Sequence, residues 1–257
     1  MTVPRIYLPR PLATGDRCVA AADQVRYLRS VLRMADGDPL VLFNGSDWEF
    51  DAVVRSGPGE ALLLEIIAQR PVPRAGVEIT LCQAIPKADK MEGIIRHATE
   101  LGVRQIVPFV ASRSVPRWPP AKGSEKRQRW QKIAVEASRQ CGRADIPEIA
   151  EISSFGAMLA SASGAELRLI PWEEETARGI REVLRDPRYG GVSDFRLVIG
   201  PEGGFSRDEI NLAEGAGFLP VGLGRRVLRV ETAALAVLAI LQYERGVIGA
   251  ADRGKPR

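Results

Sequence analysis

The chain has 257 residues, of which 45% are apolar and 26% charged, and its formal net charge is +4. At about 150 residues per domain this is one large or two modest domains, with enough chain to bury a core unaided. The composition is not that of a disordered chain, and no apolar run approaches the roughly 18 residues of a membrane-spanning helix.

The first 70 residues read as short strands with one helix. Asp23 caps a predicted helix through Val25, Leu28, Val31 and Leu32, which Gly37 ends. Along it Arg26, Arg29 and Arg33 share one side, and Arg5 and Arg10 flank the first strand. Pro39–Phe43 and Trp48–Val54 form a predicted hairpin about Asn44-Gly45-Ser46, and Ala61–Ile67 is a further strand. Short strands and tight turns suggest a small barrel. The stretch from Gln69 to Gly76, with two prolines and a glycine, marks a boundary, which puts the domains at 1–72 and 73–249. Beyond it strands alternate with helices. Val77–Ala84 is followed by a helix Asp89–Leu101, and Gln105–Val110 by a Pro116–Pro120 loop and a basic helix Ser124–Gln140. Leu167–Ile170 precedes a helix Ala177–Leu184, and Phe195–Ile199 a helix Ser206–Gly215 with a Ser206/Glu209 capping box. Leu219–Leu223 leads to a long apolar helix Glu231–Val247, and the tail after Gly249 frays. This alternation predicts an α/β domain with a parallel sheet covered on both faces.

Positive charge is concentrated in the middle of the chain. Residues 87–143 hold 13 Lys and Arg against 5 Asp and Glu, whereas residues 144–257 hold 14 against 17. Such a cluster suits a polyanion, or is a solvated helical surface. The N-terminus carries no secretion signal. Cys18, Cys82 and Cys141 are odd in number and form no C-x-x-C pair, which argues for a reducing, cytoplasmic setting and against zinc. The one histidine, His97, sits mid-helix and reads as structural. With no G-x-S-x-G and no P-loop, common hydrolase and NTPase sites are absent.

Two loops carry chemistry. Gly200-Pro201-Glu202-Gly203-Gly204 follows an apolar strand and precedes a capped helix, where parallel sheets bind ligands; alternatively it is a tight turn. Its spacing is not G-x-G-x-x-G, and Gly222-Leu223-Gly224 has Val227 in place of the third glycine, so a dinucleotide-dependent oxidoreductase is disfavoured. From Leu223 to Ala233, three arginines and Glu231-Thr232 join a strand to a helix and could hold an anion; alternatively Glu231 complements the helix dipole and Thr232 caps. Arg139 and Arg143 close the basic helix as dipole partners or phosphate contacts.

Taken in order, Val31-Leu32-Arg33, Ala84-Ile85-Pro86-Lys87 through Glu100-Leu101-Gly102-Val103, Gln140-Cys141-Gly142-Arg143, Gly200–Gly204 and Leu223–Ala233 resemble the RsmE family. Its members methylate small-subunit ribosomal RNA at uridine N3. The resemblance covers nearly the whole chain. It implies a PUA-like barrel that helps hold RNA, followed by a SPOUT-type α/β domain with a deep trefoil knot, and a homodimer with each site near the subunit interface. It also implies S-adenosylmethionine as cofactor, held by Ile199, Gly200, Pro201, Glu202, Gly203, Gly204, Leu223, Gly224, Val227, Leu228 and Ala233. The ribosomal RNA, within the small subunit, would meet Arg5, Arg10, Arg29, Arg33, Lys87, Lys90, Arg113, Arg139 and Arg143. The chain departs from many relatives in carrying Tyr27 where they have histidine, and it matches the motif around Glu173-Glu174 only loosely.

Uridine N3 is protonated at neutral pH, so methyl transfer needs the proton removed or the anion stabilised. Arg229 is the candidate for the anion. Glu231 is the candidate general base, or else orients Arg229. Thr232 hydrogen-bonds the base or caps its helix. The competing reading is a non-catalytic RNA-binding or ribosome-assembly protein on the same fold.

Overall fold

The computed structural model describes residues 3–73, 76–115, 119–162, 164 and 167–249, so most of the expected 116–120 loop and all of the tail beyond Gly249 lie outside the described residues. Two compact units emerge: Met1–Arg74 with Val135–Ile146, and Ala75–Ala134 with Pro147–Arg257.

The first unit is a five-stranded mixed sheet. In chain order it contains β1 (Arg5–Tyr7), β2 (Arg17–Val19), α1 (Ala22–Arg26), β3 (Pro39–Phe43), β4 (Trp48–Ser56) and β5 (Leu62–Pro71). The strand order is β1-β3-β4-β5-β2. The predicted hairpin forms, with Phe43 opposite Glu49, and the β4–β5 register shifts at Asp51/Ala52, a bulge that bends the sheet. Alternate residues of these strands (Leu40, Leu42, Phe50, Leu64, Ile66) join Ile6, Cys18 and Leu28 in one apolar cluster, as period-two burial requires.

The N-terminal helix differs from its prediction. Its N-cap is Ala21, not Asp23, and the Gln24 side chain accepts the Ala21 N–H at 2.9 Å. After Arg26 it widens into a π turn, Tyr27–Val31, in which Leu32 N–H reaches Tyr27 O at 3.0 Å. The wider turn shifts the side-chain register. Val31 therefore swings out to 64% exposure while Leu28 stays buried. The helix ends before Arg33, which takes φ +54°. Arg26, Arg29 and Arg33 accordingly do not share one regular helix face, and Gly37 belongs to the turn before β3 rather than to the helix end.

The second unit is an α/β domain around a seven-stranded parallel sheet. Its elements are β6 (Glu78–Ala84), α2 (Lys90–Glu100), β7 (Gln105–Val110), α3 (Pro120–Cys141), β8 (Glu148–Ile149), β9 (Ser153–Ser154), α4 (Phe155–Ala160), β10 (Leu167–Pro171), α5 (Ile180–Arg185), β11 (Asp194–Ile199), α6 (Arg207–Gly215), β12 (Leu219–Val221) and α7 (Val230–Glu244). The last turns of α3 are counted with the first unit. The order is β12-β10-β11-β6-β7-β8, with β9 also on β7, and every pairing is parallel. Central strand β11 is buried along Phe195–Ile199, as expected of a strand covered on both faces. The capping box of α6 forms as read: Ser206 Oγ accepts Glu209 N–H at 3.2 Å and Glu209 Oε2 accepts Ser206 N–H at 2.9 Å. Three elements were not anticipated. Strands β8 and β9 have two residues each, and α4 has six, too short for periodicity to register. No helix among the described residues is long and apolar enough to cross a membrane.

Candidate active site

Strands β12, β10, β11 and β6 are neighbours and run the same way. Their carboxyl ends therefore present four loops side by side: Gly222–Arg229, Trp172–Gly179, Gly200–Ser206 and Ile85–Asp89. Ligands bind outside the carboxyl ends of such sheets. Here two adjoining clefts open. One is lined by Pro171, Trp172, Glu173, Leu223 to Leu228 and Ala233. The other, of about 390 Å³, is lined by Lys90, Glu173, Pro201, Glu202, Gly204 and Val227 to Val230, within the size range of small-molecule sites. Of the expected cofactor residues, Pro201, Glu202, Gly204, Leu223, Gly224, Val227, Leu228 and Ala233 come together on these walls. Ile199, Gly200 and Gly203 support the loop from behind. A Cβ on Gly200 would lie 2.9 Å from the Phe205 ring, and one on Gly203 would lie 3.0 Å from Arg113 Cβ.

Hydrogen bonds fix these loops to one another. Glu209, only 6% exposed, accepts Ser112 N–H and Ser112 Oγ–H, each at 2.8 Å, besides closing its capping box. Burial pushes its carboxyl up, but the Ser112 and Ser206 hydrogen bonds outweigh burial and leave it below its ordinary value. Next to Ser112, Arg113 donates to Gly203 O at 2.8 Å. In the loop after β6, Ala88 takes φ +55°, a conformation tolerated only where surroundings enforce it. Lys87 N–H lies 3.2 Å from both Glu202 oxygens. The loop after β12 runs tight against the one after β10: Gly222 N–H reaches Arg178 O at 2.8 Å, and a Gly222 Cβ would meet Glu175 O at 2.5 Å.

Lys90 bridges the two chemistry-bearing loops, with Nζ 3.1 Å from Glu202 and 3.4 Å from Glu231 Oε2. The Glu202 hydrogen bond comes first among the causes that hold the ammonium above its ordinary value. Glu202 is raised by burial and lowered more by backbone N–H groups and Lys90, so it stays an ionised carboxylate. Glu231 Oε2 is shielded from solvent and makes no hydrogen bond; its ion-pair partner is Lys90. Arg229 is exposed, lines the larger cleft and takes the N-cap position of α7, with no side-chain cap. Thr232 is therefore the third helical residue, exposed, and not a cap.

The expected RNA-contacting residues divide into two groups. Arg5 is ion-paired with Glu49, donates to Arg143 O at 2.9 Å and stacks on Phe43. Arg143 binds Asp145. Arg139 pairs with Glu136, donates to Tyr27 OH at 3.0 Å and lies over the Tyr27 ring. Arg113 and Lys90 are held as described. These five are occupied by protein partners. The side chains of Arg10, Arg29, Arg33 and Lys87 are exposed. Sequence reasoning left Glu173 and Trp172 without assignment, yet Glu173 lines both clefts. Their signals were the loosely matched family motif around Glu173-Glu174 and a position directly after a parallel strand.

A family model described as an RNA methyltransferase domain matches residues 73–242, and one described as an RNA methyltransferase PUA domain matches residues 21–67. Ribosomal RNA small subunit methyltransferase E of Bacillus subtilis is 30% identical over 86% of this chain and 88% of its own. Its namesake in Rickettsia conorii is 32% identical over 91% and 93%. Among solved structures, a Legionella pneumophila methyltransferase in complex with S-adenosylmethionine superposes with a TM-score of 0.83 at 33% identity, covering 95% of this chain and 98% of that one. Ribosomal RNA small subunit methyltransferase E of Neisseria gonorrhoeae, bound to S-adenosyl methionine, gives 0.83 at 29% identity, over 94% and 98%. With a glycine-loop cleft at the strand ends and these matches over most of its length, the chain belongs to the RNA methyltransferase family, in its RsmE branch of small-subunit ribosomal RNA methyltransferases.

Proposed function

We propose that this protein transfers a methyl group from S-adenosylmethionine to N3 of a uridine in small-subunit (16S) ribosomal RNA. The observation that carries this reading is the meeting of Pro201, Glu202 and Gly204 with Val227, Leu228 and Arg229 on one cleft, adjoining a second lined by Leu223 to Leu228, at the carboxyl ends of parallel strands β11 and β12 on either side of β10. The residues fit the cofactor. Pro171, Trp172, Leu223, Val227, Leu228 and Ala233 offer apolar walls suited to a flat purine, and Glu202 offers negative charge to a cationic methionine moiety. At Gly224, φ is +106° and a Cβ would meet open space, so the backbone is accessible to a ligand. When bound there, the cofactor supplies an electrophilic methyl on a sulfonium.

The chain's own residues do the rest. Arg229 projects a cation at the cleft where negative charge develops over O2, N3 and O4 as N3 loses its proton. Of the duties open to Glu231, its geometry supports a positioning one: through Lys90 it ties the start of α7 to Glu202. Thr232, in the first turn beside it, is the proposed hydrogen-bond donor to the base. Exposed Arg10, Arg29, Arg33 and Lys87 are the proposed phosphate contacts, and the PUA unit shares in holding RNA. The homodimer and the trefoil knot belong to the same proposal. Supporting the dimer, α7 keeps Leu235, Ala236, Ala239 and Ile240 only partly buried and Tyr243 64% exposed.

The test is incubation with labelled S-adenosylmethionine and small ribosomal subunits from cells lacking the endogenous enzyme, followed by nucleoside separation. Label in N3-methyluridine is the expected result. Label in another nucleoside would refute the position and keep the reaction. No label and no cofactor binding would favour a non-catalytic RNA-binding protein.

A further inference from the structure

Three successive glutamates follow β10, and each has a different fate. Glu174 pairs with Arg207 at 3.5 Å. Glu175 closes the turn: its N–H reaches Trp172 O at 3.2 Å, and its carboxylate accepts the N–H groups of Ala177 and Arg178 at 2.7 and 3.0 Å. Glu173 turns the other way, into the clefts, and has no ion pair or hydrogen bond among the described residues. Glu173 is exposed, and its neighbours bound it on two sides. Behind it, Trp172 is buried, its backbone N–H donated to Val221 O at 3.0 Å and its ring covered by Arg207 at 4.4 Å. In front, the carboxylate occupies the space that Gly204 leaves, since a Gly204 Cβ would stand 2.2 Å from Glu173 Oε1, and Gly204 itself needs φ +67°.

The other carboxylate on this cleft, Glu202, is engaged with Lys90 and Lys87 N–H, and Glu231 at the start of α7 is paired with the same Lys90. An adjacent cation stabilises the charged form of a carboxylate and weakens it as a proton acceptor. Glu173 has no such partner among the described residues, and it lies on the cleft whose wall also carries Arg229.

We infer that Glu173 is the catalytic base, taking the N3 proton of the target uridine while Arg229 stabilises the resulting anion. This rests on the uridine-N3 reading above. The N3–H bond breaks and the proton passes to a Glu173 oxygen. The N3 electron pair forms the N–CH3 bond as the methyl–sulfur bond breaks, and sulfur keeps that pair as a neutral thioether. The products are N3-methyluridine, S-adenosylhomocysteine and a protonated Glu173 that returns its proton to water.

The experiment compares wild type, Glu173→Gln, Glu173→Ala and Glu174→Gln on undermethylated small subunits, with S-adenosylmethionine affinity measured separately by calorimetry. Loss of a general base costs about 100-fold or more in rate, so kcat of Glu173→Gln should fall by that factor. Its KM and its cofactor Kd should stay within about threefold of wild type, as for a group acting only in the transition state. Formate should restore part of the activity of Glu173→Ala, and Glu174→Gln should behave as wild type. A kcat for Glu173→Gln within about threefold of wild type would overturn the assignment. So would a Kd that weakens in parallel with kcat, which would make Glu173 a cofactor contact, or a Glu173→Ala variant that formate leaves inactive. Wild-type label in a nucleoside other than N3-methyluridine would instead overturn the reading on which the assignment rests.

Discussion

Replacing Glu209 by alanine tests how the glycine loop is held. One carboxylate serves two ends: it completes the α6 capping box with Ser206 and accepts two hydrogen bonds from Ser112, next to the Arg113 that grips Gly203 O. Loss of a cap costs about 1 kcal/mol. Hydrogen bonds to a charged group contribute about 1.5–3 kcal/mol when buried. Ser112 is exposed, so water can replace part of what it loses. The sum is about 3 kcal/mol of stability at neutral pH. The pH dependence follows from the carboxyl's lowered pKa. A group depressed on folding contributes its full stability above its unfolded value, near 4.3 for glutamate, and loses it as pH falls through the lower folded value. Urea unfolding followed by tryptophan fluorescence at pH 7, 5, 4 and 3 should therefore show wild type and Glu209→Ala converging only below about pH 4. Cofactor affinity at pH 7 should weaken as the Arg113–Gly203 clamp loosens. A loss below about 1 kcal/mol at pH 7, or one of the same size at pH 3, would refute the argument.

Gly222→Ala should destabilise the α/β unit by about 2 kcal/mol or more in the same urea assay, because its Cβ would strike the Glu175 carbonyl at 2.5 Å; a neutral result would show that the β10 and β12 loops can separate. Arg5→Ala removes one of the two arginines around buried Glu49 and should cost about 1–3 kcal/mol in stability. Arg10→Ala should leave stability unchanged but weaken RNA binding and reduce the salt slope by about one, as read by filter binding from low to high salt. Lys90→Met should weaken cofactor binding in a calorimetric titration more than RNA binding, since Lys90 joins Glu202 to Glu231; the opposite order would return Lys90 to the RNA surface.

The local grammar of this sequence determined a good deal. Strand–helix alternation after residue 77, the Ser206/Glu209 capping box and the two glycine loops at strand ends all follow from contacts within a few residues and all appear, although the helix expected from Ala177 begins at Ile180 and the one expected from Ser124 begins at Pro120. The ordered motifs also fixed the family. Tertiary structure decided the rest. Val135–Ile146 carries no local mark of packing with the N-terminal strands, because the partners of a helix face are set by distant chain. The π turn at Tyr27–Val31 defeated a reading based on a period of 3.6. Charge counting could not separate arginines that meet solvent from those already spoken for: Glu136 and Asp145 are sequence neighbours of Arg139 and Arg143, but Glu49 beside Arg5 and Tyr27 beside Arg139 arrive only once the chain has folded. Glu173, Glu174 and Glu175 make the same point over three residues. Their side chains are chemically identical; Glu175 is taken by its own turn, while Arg207 of α6 and the space at Gly204 after β11, both brought in by the fold, send Glu174 to an ion pair and Glu173 to the cleft.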